Sequence, residues 1–283
     1  MTPDPAGRPV TVVGAGTLGR RIALMWGSRG GEVRLVDPDA GQRDAAVAWV
    51  REHGGPEAGE VAATGDLAAA LDGAWQVVES VPERLQAKRD LFAELDRLAP
   101  ADAVLASNSS SIPSSRFCDV VQDRSRVLNT HFYLPPERNA VELMSCGETA
   151  PEVLDLVEER ARAHGLVPFR VRTESVGFIY NRVWAAIKRE SLAVVADGVS
   201  TPEELDEIYR LNGGGEGPFR RMDRVGLDVV LDIEENYAQV LPWVPEGPRR
   251  LLREHVERGH LGVKTGRGFY EYDAPAAQER PGG

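Results

Sequence analysis

Three groups of polar residues could do chemistry where the ends of predicted strands face the second half of the chain. His131 ends one predicted strand, and Glu142 follows eleven residues later, across a Pro-Pro loop short enough for the two to face each other. The run SNSSS at 107–111 follows another strand and offers hydroxyl and amide donors, and Asn181 lies in the first turns of a predicted helix. A histidine paired with a carboxylate can move protons near neutral pH, because the carboxylate fixes the tautomer and supports the imidazolium form.

A glycine-rich turn near the N-terminus indicates a dinucleotide site. It follows an apolar β-branched run, opens a helical pattern, and precedes a second strand that ends at Asp37. The first glycine permits a tight turn, the second leaves room for a diphosphate, and the third lets helix and strand pack closely. Asp37 can bind the ribose hydroxyls and repel a 2′-phosphate, which predicts NAD rather than NADP. The residues predicted to hold the dinucleotide at this turn are Gly14, Gly16, Thr17, Leu18 and Gly19.

Composition excludes several classes of function. With 33 basic and 44 acidic residues, the formal net charge is −11, which argues against binding to nucleic acid or to anionic membranes. No apolar run reaches the length of a membrane span, and the first residues lack the pattern of a signal peptide, so we expect a cytoplasmic protein. Cys118 and Cys146 have neither metal nor redox spacing, and we expect buried reduced thiols and no metal site.

The order of predicted elements divides the chain into two domains. Strands and helices alternate through residues 1–174, which predicts an α/β domain with a doubly wound, Rossmann-type sheet, although residues 54–61 are predicted as a turn-rich break. Residues 175–283 are predicted to form an all-helical domain for substrate binding and dimerisation. Several of its helices carry apolar residues on more than one face, which predicts a homodimer. The tail from Asp273 is predicted to be disordered.

In their order along the chain, seven motifs resemble those of the NAD-dependent L-3-hydroxyacyl-CoA dehydrogenase family, which includes the 3-hydroxybutyryl-CoA dehydrogenases. The resemblance covers Val10 to Tyr272. The motifs are GAGTLG with Asp37, ESVPERLQAK, SNSSS, HF followed by VE, GFIYNR, GPFRRMDRVGLD and KTGRGFYEY. The resemblance implies an NAD-dependent oxidoreductase that interconverts a 3-hydroxyacyl thioester and its 3-keto form.

The catalytic roles follow from the resemblance, position by position. His131 is expected to be the general base that takes the hydroxyl proton, and Glu142 is expected to orient the imidazole and stabilise its charged form. Ser110 and Asn181 are expected to hydrogen-bond the substrate oxygen and to polarise the carbonyl group in the reductive direction.

Other matching positions concern the cofactor. Glu83, Lys88 and Asn108 are expected to lie near the bound NAD, although Glu83 and Lys88 could instead be ordinary charges on an exposed helix. The chain departs from the family at Leu134, where the family usually has an asparagine near the nicotinamide carboxamide. The loop that leads to Glu142 is also one residue shorter than in the family.

A second departure concerns the substrate. Family members that use CoA carry a lysine-rich helical hairpin after the second strand, whereas here the segment 39–74 is short, with Arg43 and Arg51 as its basic residues. A site for a multiply charged anion needs cations. The alternatives to a CoA thioester are a free hydroxy acid, as in the related gulonate and carnitine dehydrogenases, and a carrier-protein thioester. A noncatalytic NAD-binding relative is a further alternative.

Overall fold

The computed structural model describes residues 2–273, and the chain divides into two compact units, Met1–Ile179 and Tyr180–Gly283. The predicted domain boundary between residues 174 and 175 stays a prediction. The tail that we predicted to be disordered lies, from residue 274 on, outside the described residues.

Strands and α-helices alternate along most of the first unit, with three successive strands before its last helix. Its described strands are β1 (Val10–Val13), β2 (Val33–Val36), β3 (Val61–Thr64), β4 (Gln76–Glu79), β5 (Val104–Ser107), β6 (Val127–Leu134), β7 (Arg138–Ser145) and β8 (Val167–Val171). Its described α-helices are α1 (Thr17–Gly27), α2 (Ala40–His53), α3 (Leu67–Leu71), α4 (Leu85–Leu98) and α5 (Pro151–Ala163).

These strands form one sheet in the order β3-β2-β1-β4-β5-β6-β7-β8. Neighbouring strands are parallel except β6 and β7, which form an antiparallel pair. The predicted Rossmann-type sheet is confirmed, with the antiparallel β7 as an added feature. One local prediction was wrong: Val61, placed at the end of a turn-rich break, begins β3, which pairs with β2.

Apolar side chains cover both faces of the sheet, as the doubly wound arrangement requires. On one face, Val12 and Val78 belong to a core that also contains Trp26 of α1. On the other face, Val13 belongs to a core with Phe92 of α4. The predicted burial of both cysteines is confirmed, since Cys118 and Cys146 are buried free thiols in this second core.

Because β1, β2, β4, β5 and β6 run in the same direction, their carboxyl ends meet at one edge of the sheet. Gly14 and Asp37 follow β1 and β2 directly, and Glu79 ends β4. In the register of β5 and β6, Ser107 lies beside Asn129, so that His131 is two residues beyond the end of β5. This edge therefore collects the residues that were predicted to do chemistry in the first unit.

The described part of the second unit is helical. Its α-helices are α6 (Tyr180–Ala196), α7 (Pro202–Leu211), α8 (Pro218–Val225), α9 (Leu227–Val240) and α10 (Glu246–Glu257). Leu192, Phe219 and Leu252 belong to its core. Within residues 2–273, we find no helix with both the length and the apolar character to cross a membrane. No group of three or more His, Cys, Asp or Glu side chains in the same residues could hold a metal ion.

Candidate active site

The glycine turn between β1 and α1 has the shape that a dinucleotide requires. Gly14 has φ of +106°, and a Cβ atom there would collide with the carbonyl oxygen of Ser80. A Cβ atom on Gly19 would collide with the carbonyl oxygen of Gly14. At Gly16, by contrast, a Cβ atom would meet no atom within 4 Å. Two glycines are thus required by the fold, and the third leaves open space beside the start of α1.

The first turn of α1 offers free donors to an anion. Gly16 is its N-cap residue and no side chain caps the helix, so the amides of Thr17 and Leu18 have no intrahelical acceptor. Such amides, together with the positive end of the helix dipole, form a favourable site for a diphosphate.

Asp37 lies at the rim of this turn, held in place by the backbone. Its Oδ2 accepts a hydrogen bond from the amide of Ala15 at 2.9 Å, and its Oδ1 accepts one from the amide of Asp39 at 2.9 Å. A half-buried carboxylate fixed by two amides keeps lone pairs for a ribose diol. The residues at this turn therefore fit the adenosine half of NAD.

Beneath the edge of the sheet lies a buried ion pair that sequence reasoning missed. The Lys88 ammonium group, on a residue that is 1% exposed, lies 2.8 Å and 3.0 Å from the two carboxylate oxygens of Glu79 and 3.2 Å from Glu83. The hydroxyl of Ser107 also donates to Glu79, at 2.5 Å. The alternative interpretation of Lys88 as a charge on an exposed helix is therefore wrong.

Glu83 connects this ion pair to the serine-rich turn. Its Oε1 accepts hydrogen bonds from the hydroxyls of Ser109 (2.6 Å) and Ser111 (2.8 Å) and from the amides of Ser110 (3.1 Å) and Ser111 (2.9 Å). Burial raises the pKa of Glu83, but Lys88 and the serine donors outweigh burial, so that the pKa lies below its ordinary value. Glu83 thus fixes the backbone of the turn, while Ser110 itself is exposed.

Asn108 links the same turn to the strand that carries the histidine. Its backbone amide donates to the backbone carbonyl oxygen of Glu79 at 2.8 Å, and its side-chain Oδ1 accepts a hydrogen bond from the backbone amide of Phe132 at 2.9 Å. The end of β5 and the neighbourhood of His131 are therefore held together by one side chain.

His131 and Glu142 face each other directly across the antiparallel pair β6 and β7. The distance from Nδ1 of His131 to Oε2 of Glu142 is 3.0 Å, and the two residues are 5% and 2% exposed. With Nδ1 donating to the carboxylate, the neutral imidazole keeps a lone pair on Nε2. The other oxygen of Glu142 accepts a hydrogen bond from the amide of Ile179 at 2.9 Å. This arrangement can take up a proton at Nε2 and stabilise the resulting charge.

The structure brings together most of the predicted site residues of the first unit. Asn181 lies in the second unit, as the second residue of α6 and half-buried, and its predicted contact with substrate stays a prediction. Sequence reasoning missed Glu79 and Phe178, and although it singled out the run at 107–111, it did not predict the hydrogen bond from Ser107 to Glu79. An acidic residue that ends an apolar strand was a signal for Glu79, since a buried carboxylate needs a partner, whereas no local signal marked Phe178.

The carboxylate of Asp37 predicts the preference between the two nicotinamide cofactors. Asp37→Ala should weaken NAD binding by about 10- to 100-fold, the equivalent of ~1.5–3 kcal/mol for a hydrogen bond to a charged group, and should narrow the preference over NADP. Calorimetry with both cofactors measures the effect. Asp39→Ala is the matched control: it removes the N-cap of α2 and should leave the preference unchanged. Equal affinity of the unmodified protein for NAD and NADP would count against the prediction.

Glu83 predicts a pH-dependent stability. Because its folded-state pKa is lowered, Glu83 stabilises the fold above its unfolded pKa near 4.5, and this contribution is lost as the pH falls through the folded-state value. The Tm difference between the unmodified protein and Glu83→Gln should therefore be largest near neutral pH and shrink below pH 4.5. Glu94→Gln, which removes a surface carboxylate 3.7 Å from Arg97, should have little effect at any pH. A Tm difference for Glu83→Gln that does not vary with pH would contradict the assignment.

Comparison with known proteins gives the same assignment for both units. The family model for the NAD-binding domain of 3-hydroxyacyl-CoA dehydrogenase matches residues 9–175, and that for its C-terminal domain matches residues 177–272. A 3-hydroxyacyl-CoA dehydrogenase-like protein, LAM1 of Cochliobolus heterostrophus, is 43% identical over 157 residues, which are 54% of this chain and 33% of that protein.

Two further relatives match along nearly their whole length. A probable 3-hydroxybutyryl-CoA dehydrogenase of Bacillus subtilis is 31% identical over 285 residues, covering 94% of this chain and 98% of that one. The crystal structure of (S)-3-hydroxybutyryl-CoA dehydrogenase PaaH1 from Ralstonia eutropha, 29% identical, superposes with a TM-score of 0.85 and covers 94% of this chain and 99% of that one. The chain belongs to the 3-hydroxyacyl-CoA dehydrogenase family and is an NAD-dependent oxidoreductase.

Proposed function

We propose that the protein interconverts a 3-hydroxyacyl thioester and the corresponding 3-keto thioester, with His131 as its acid–base group. The observation that carries the proposal is the 3.0 Å hydrogen bond between two buried side chains, His131 and Glu142. The pair lies at the same sheet edge as the glycine turn and Asp37, where the cofactor binds in such folds.

In the direction of oxidation, Nε2 of His131 takes the proton of the substrate hydroxyl while the carbon–oxygen bond becomes a carbonyl. NAD supplies the acceptor for the hydride that leaves the same carbon. Glu142 stabilises the imidazolium as it forms, and its second hydrogen bond, from Ile179, keeps the carboxylate in place. In reduction, the imidazolium returns the proton to the oxygen.

The remaining residues hold the two ligands. We assign the diphosphate to the turn at 14–19 and the adenosine ribose to Asp37, with Glu83, Lys88 and Asn108 on the nicotinamide side. The Lys88 ammonium group is occupied by two carboxylates, so Lys88 would act by fixing Glu83 and the serine turn. The exposed Ser110 hydroxyl and the Asn181 amide would bind the substrate oxygen.

For the whole chain we propose an NAD-binding domain at 1–174 and a helical domain at 175–283 for substrate binding and dimerisation. Support for a homodimer comes from large apolar side chains that are exposed on α6, α7 and α9: Val183, Ile208, Leu211 and Val229. Two free thiols and a net charge of −11 agree with a cytoplasmic location and a small-molecule substrate.

A second candidate keeps the chemistry but changes the substrate handle to a free hydroxy acid or a carrier-protein thioester. The supporting observation is the connection between β2 and β3, which consists of the single helix α2 and a turn. Arg43 in this segment donates to the backbone carbonyl oxygens of Asp37 and Pro38. The intact His131–Glu142 pair weighs against a noncatalytic NAD-binding role.

The acid–base assignment predicts a large effect on turnover. His131→Ala should lower kcat by about 10²- to 10⁴-fold, the range for positioned acid–base groups, with little change in NAD affinity. Glu142→Gln should lower kcat as well, because the imidazolium loses its charged partner. His53→Ala, on the exposed side of α2, is the matched control and should keep normal turnover. Near-normal turnover of His131→Ala on a verified substrate would show that the assignment is wrong.

The short segment 39–74 predicts that the nucleotide end of CoA contributes little to catalysis. The test compares kcat/KM for 3-hydroxybutyryl-CoA, for the same acyl group on N-acetylcysteamine, and for free 3-hydroxybutyrate. We expect the kcat/KM values of the two thioesters to agree within about tenfold, or ~1.4 kcal/mol. A part of the substrate that the protein does not bind cannot help to position the reacting carbon.

A CoA ester that is better by more than this would reveal a CoA site elsewhere. The candidates for its cations are Arg220, Arg221 and Arg224. All three already have partners. The guanidinium carbon of Arg220 lies 4.2 Å from the centre of the Tyr270 ring, that of Arg221 lies 3.9 Å from the centre of the Trp184 ring, and Arg224 forms an ion pair with Glu216.

A further inference from the structure

The turn that follows β8 contains an unusual backbone conformation. Phe178 has φ of +56° and, among residues 2–273, is the only non-glycine residue with positive φ; Gly177 before it has φ of +78°. A non-glycine residue in this region carries an energetic cost, since its Cβ approaches a carbonyl oxygen. Such a residue persists when its surroundings hold it there, and it is found most often at functional sites.

Two hydrogen bonds hold Phe178 in this conformation. Its amide donates to the carbonyl oxygen of Ser175 at 3.0 Å, and the Ser175 hydroxyl donates back to the carbonyl oxygen of Phe178 at 2.9 Å. The phenyl ring is 2% exposed. The left-handed turn at 177–178 is therefore a fixed part of the first unit.

The turn presents two groups to the catalytic pair at once. The Phe178 ring stacks on the imidazole of His131, with 4.9 Å between ring centres and 24° between planes. The next amide, that of Ile179, donates to Oε1 of Glu142 at 2.9 Å. Oε2 of Glu142 is thereby left for Nδ1 of His131. One turn thus fixes the plane of the imidazole and the rotation of the carboxylate.

We propose that Phe178 is a positioning residue for the reaction and that the Ile179 amide completes its action on the His131–Glu142 pair. The inference rests on the proposed function of His131. The ring limits rotation of the imidazole, and the amide limits rotation of the carboxylate, so that Nε2 stays directed at the substrate hydroxyl. The Tyr133 ring adds a second aromatic contact, with 4.8 Å between its centre and that of the His131 imidazole and 60° between the two planes. Small displacements of an acid–base group are costly in rate, which gives such a constraint its value.

The alternative is that Phe178 only fills space in the core. Phe178→Leu separates the two, because leucine keeps apolar volume but has no flat face for the imidazole. We expect kcat to fall by about 10-fold or more, with KM and NAD affinity nearly unchanged, and Phe178→Tyr to restore most of the loss. Phe117→Leu is the matched control, since Phe117 is fully buried in the same unit and its ring contacts the tilted ring of Phe92 rather than His131; it should leave kcat unchanged.

The decisive measurement repeats Phe178→Leu in the His131→Ala background. If Phe178 acts through His131, the second change should have no further effect on the remaining turnover, because the two residues act as a unit. An independent, multiplicative loss would overturn the proposal, and so would normal kcat or lost NAD binding in Phe178→Leu alone. Near-normal turnover of His131→Ala would instead overturn the proposed function.

A second variant tests the role of the Ile179 amide. Replacement of Ile179 by the corresponding α-hydroxy acid turns this amide into an ester. It removes the N–H group and keeps the side chain. We expect kcat to fall about 10-fold, in line with the loss of a hydrogen bond to a charged acceptor, and to fall no further in the Glu142→Gln background. An ester variant with unchanged kcat would show that the amide has no positioning role.

Discussion

The buried ion pair between Lys88 and Glu79 is the interaction on which the rest of the site depends. Two charges withdrawn from water are stable together only when their geometry is good and their remaining donors and acceptors are satisfied; removal of one partner costs about 3–5 kcal/mol. Here Glu79 is fully buried, and its carboxylate accepts hydrogen bonds from the Lys88 ammonium group, the Ser107 hydroxyl and the Val81 amide. The ends of β4 and β5 and the start of α4 are thereby joined. The residues at the edge of the sheet are therefore held in place by an ion pair that is itself shielded from solvent.

Much of the fold could be predicted because its signals are local. The glycine turn, its flanking strand and helix, and Asp37 lie within one short stretch, and each glycine has the steric reason that its spacing indicated. The His131–Glu142 contact could also be predicted in part, because a tight hairpin brings nearby residues opposite each other. In the structure they are indeed directly opposite in β6 and β7.

Other features depend on contacts that no short window contains. The strand β3 was missed because its glycine-rich approach resembles a loop, yet a Cβ atom on Gly59 would collide with the carbonyl oxygen of Gly31. Burial of Lys88 depends on Glu79 and Glu83, and the role of Glu83 depends on serines 26 to 28 residues away. The stacking of Phe178 on His131 joins the turn after β8 to β6, and no residue near Phe178 in the chain indicates it.

The antiparallel pairing of β6 and β7 separates the reaction centre from the tip of the hairpin. His131 and Glu142 are matched by ladder pairing, whereas the irregular register lies between Phe132 and Leu134. A slip of one residue in a strand would turn every side chain to the opposite face, but a change of length at the tip can be absorbed by that irregularity. The residues from Leu134 to Arg138 can therefore be lengthened, shortened or exchanged in evolution while the proton-transfer pair stays intact. A hairpin of this kind lets one chemical step be inherited while the contacts around the tip diversify.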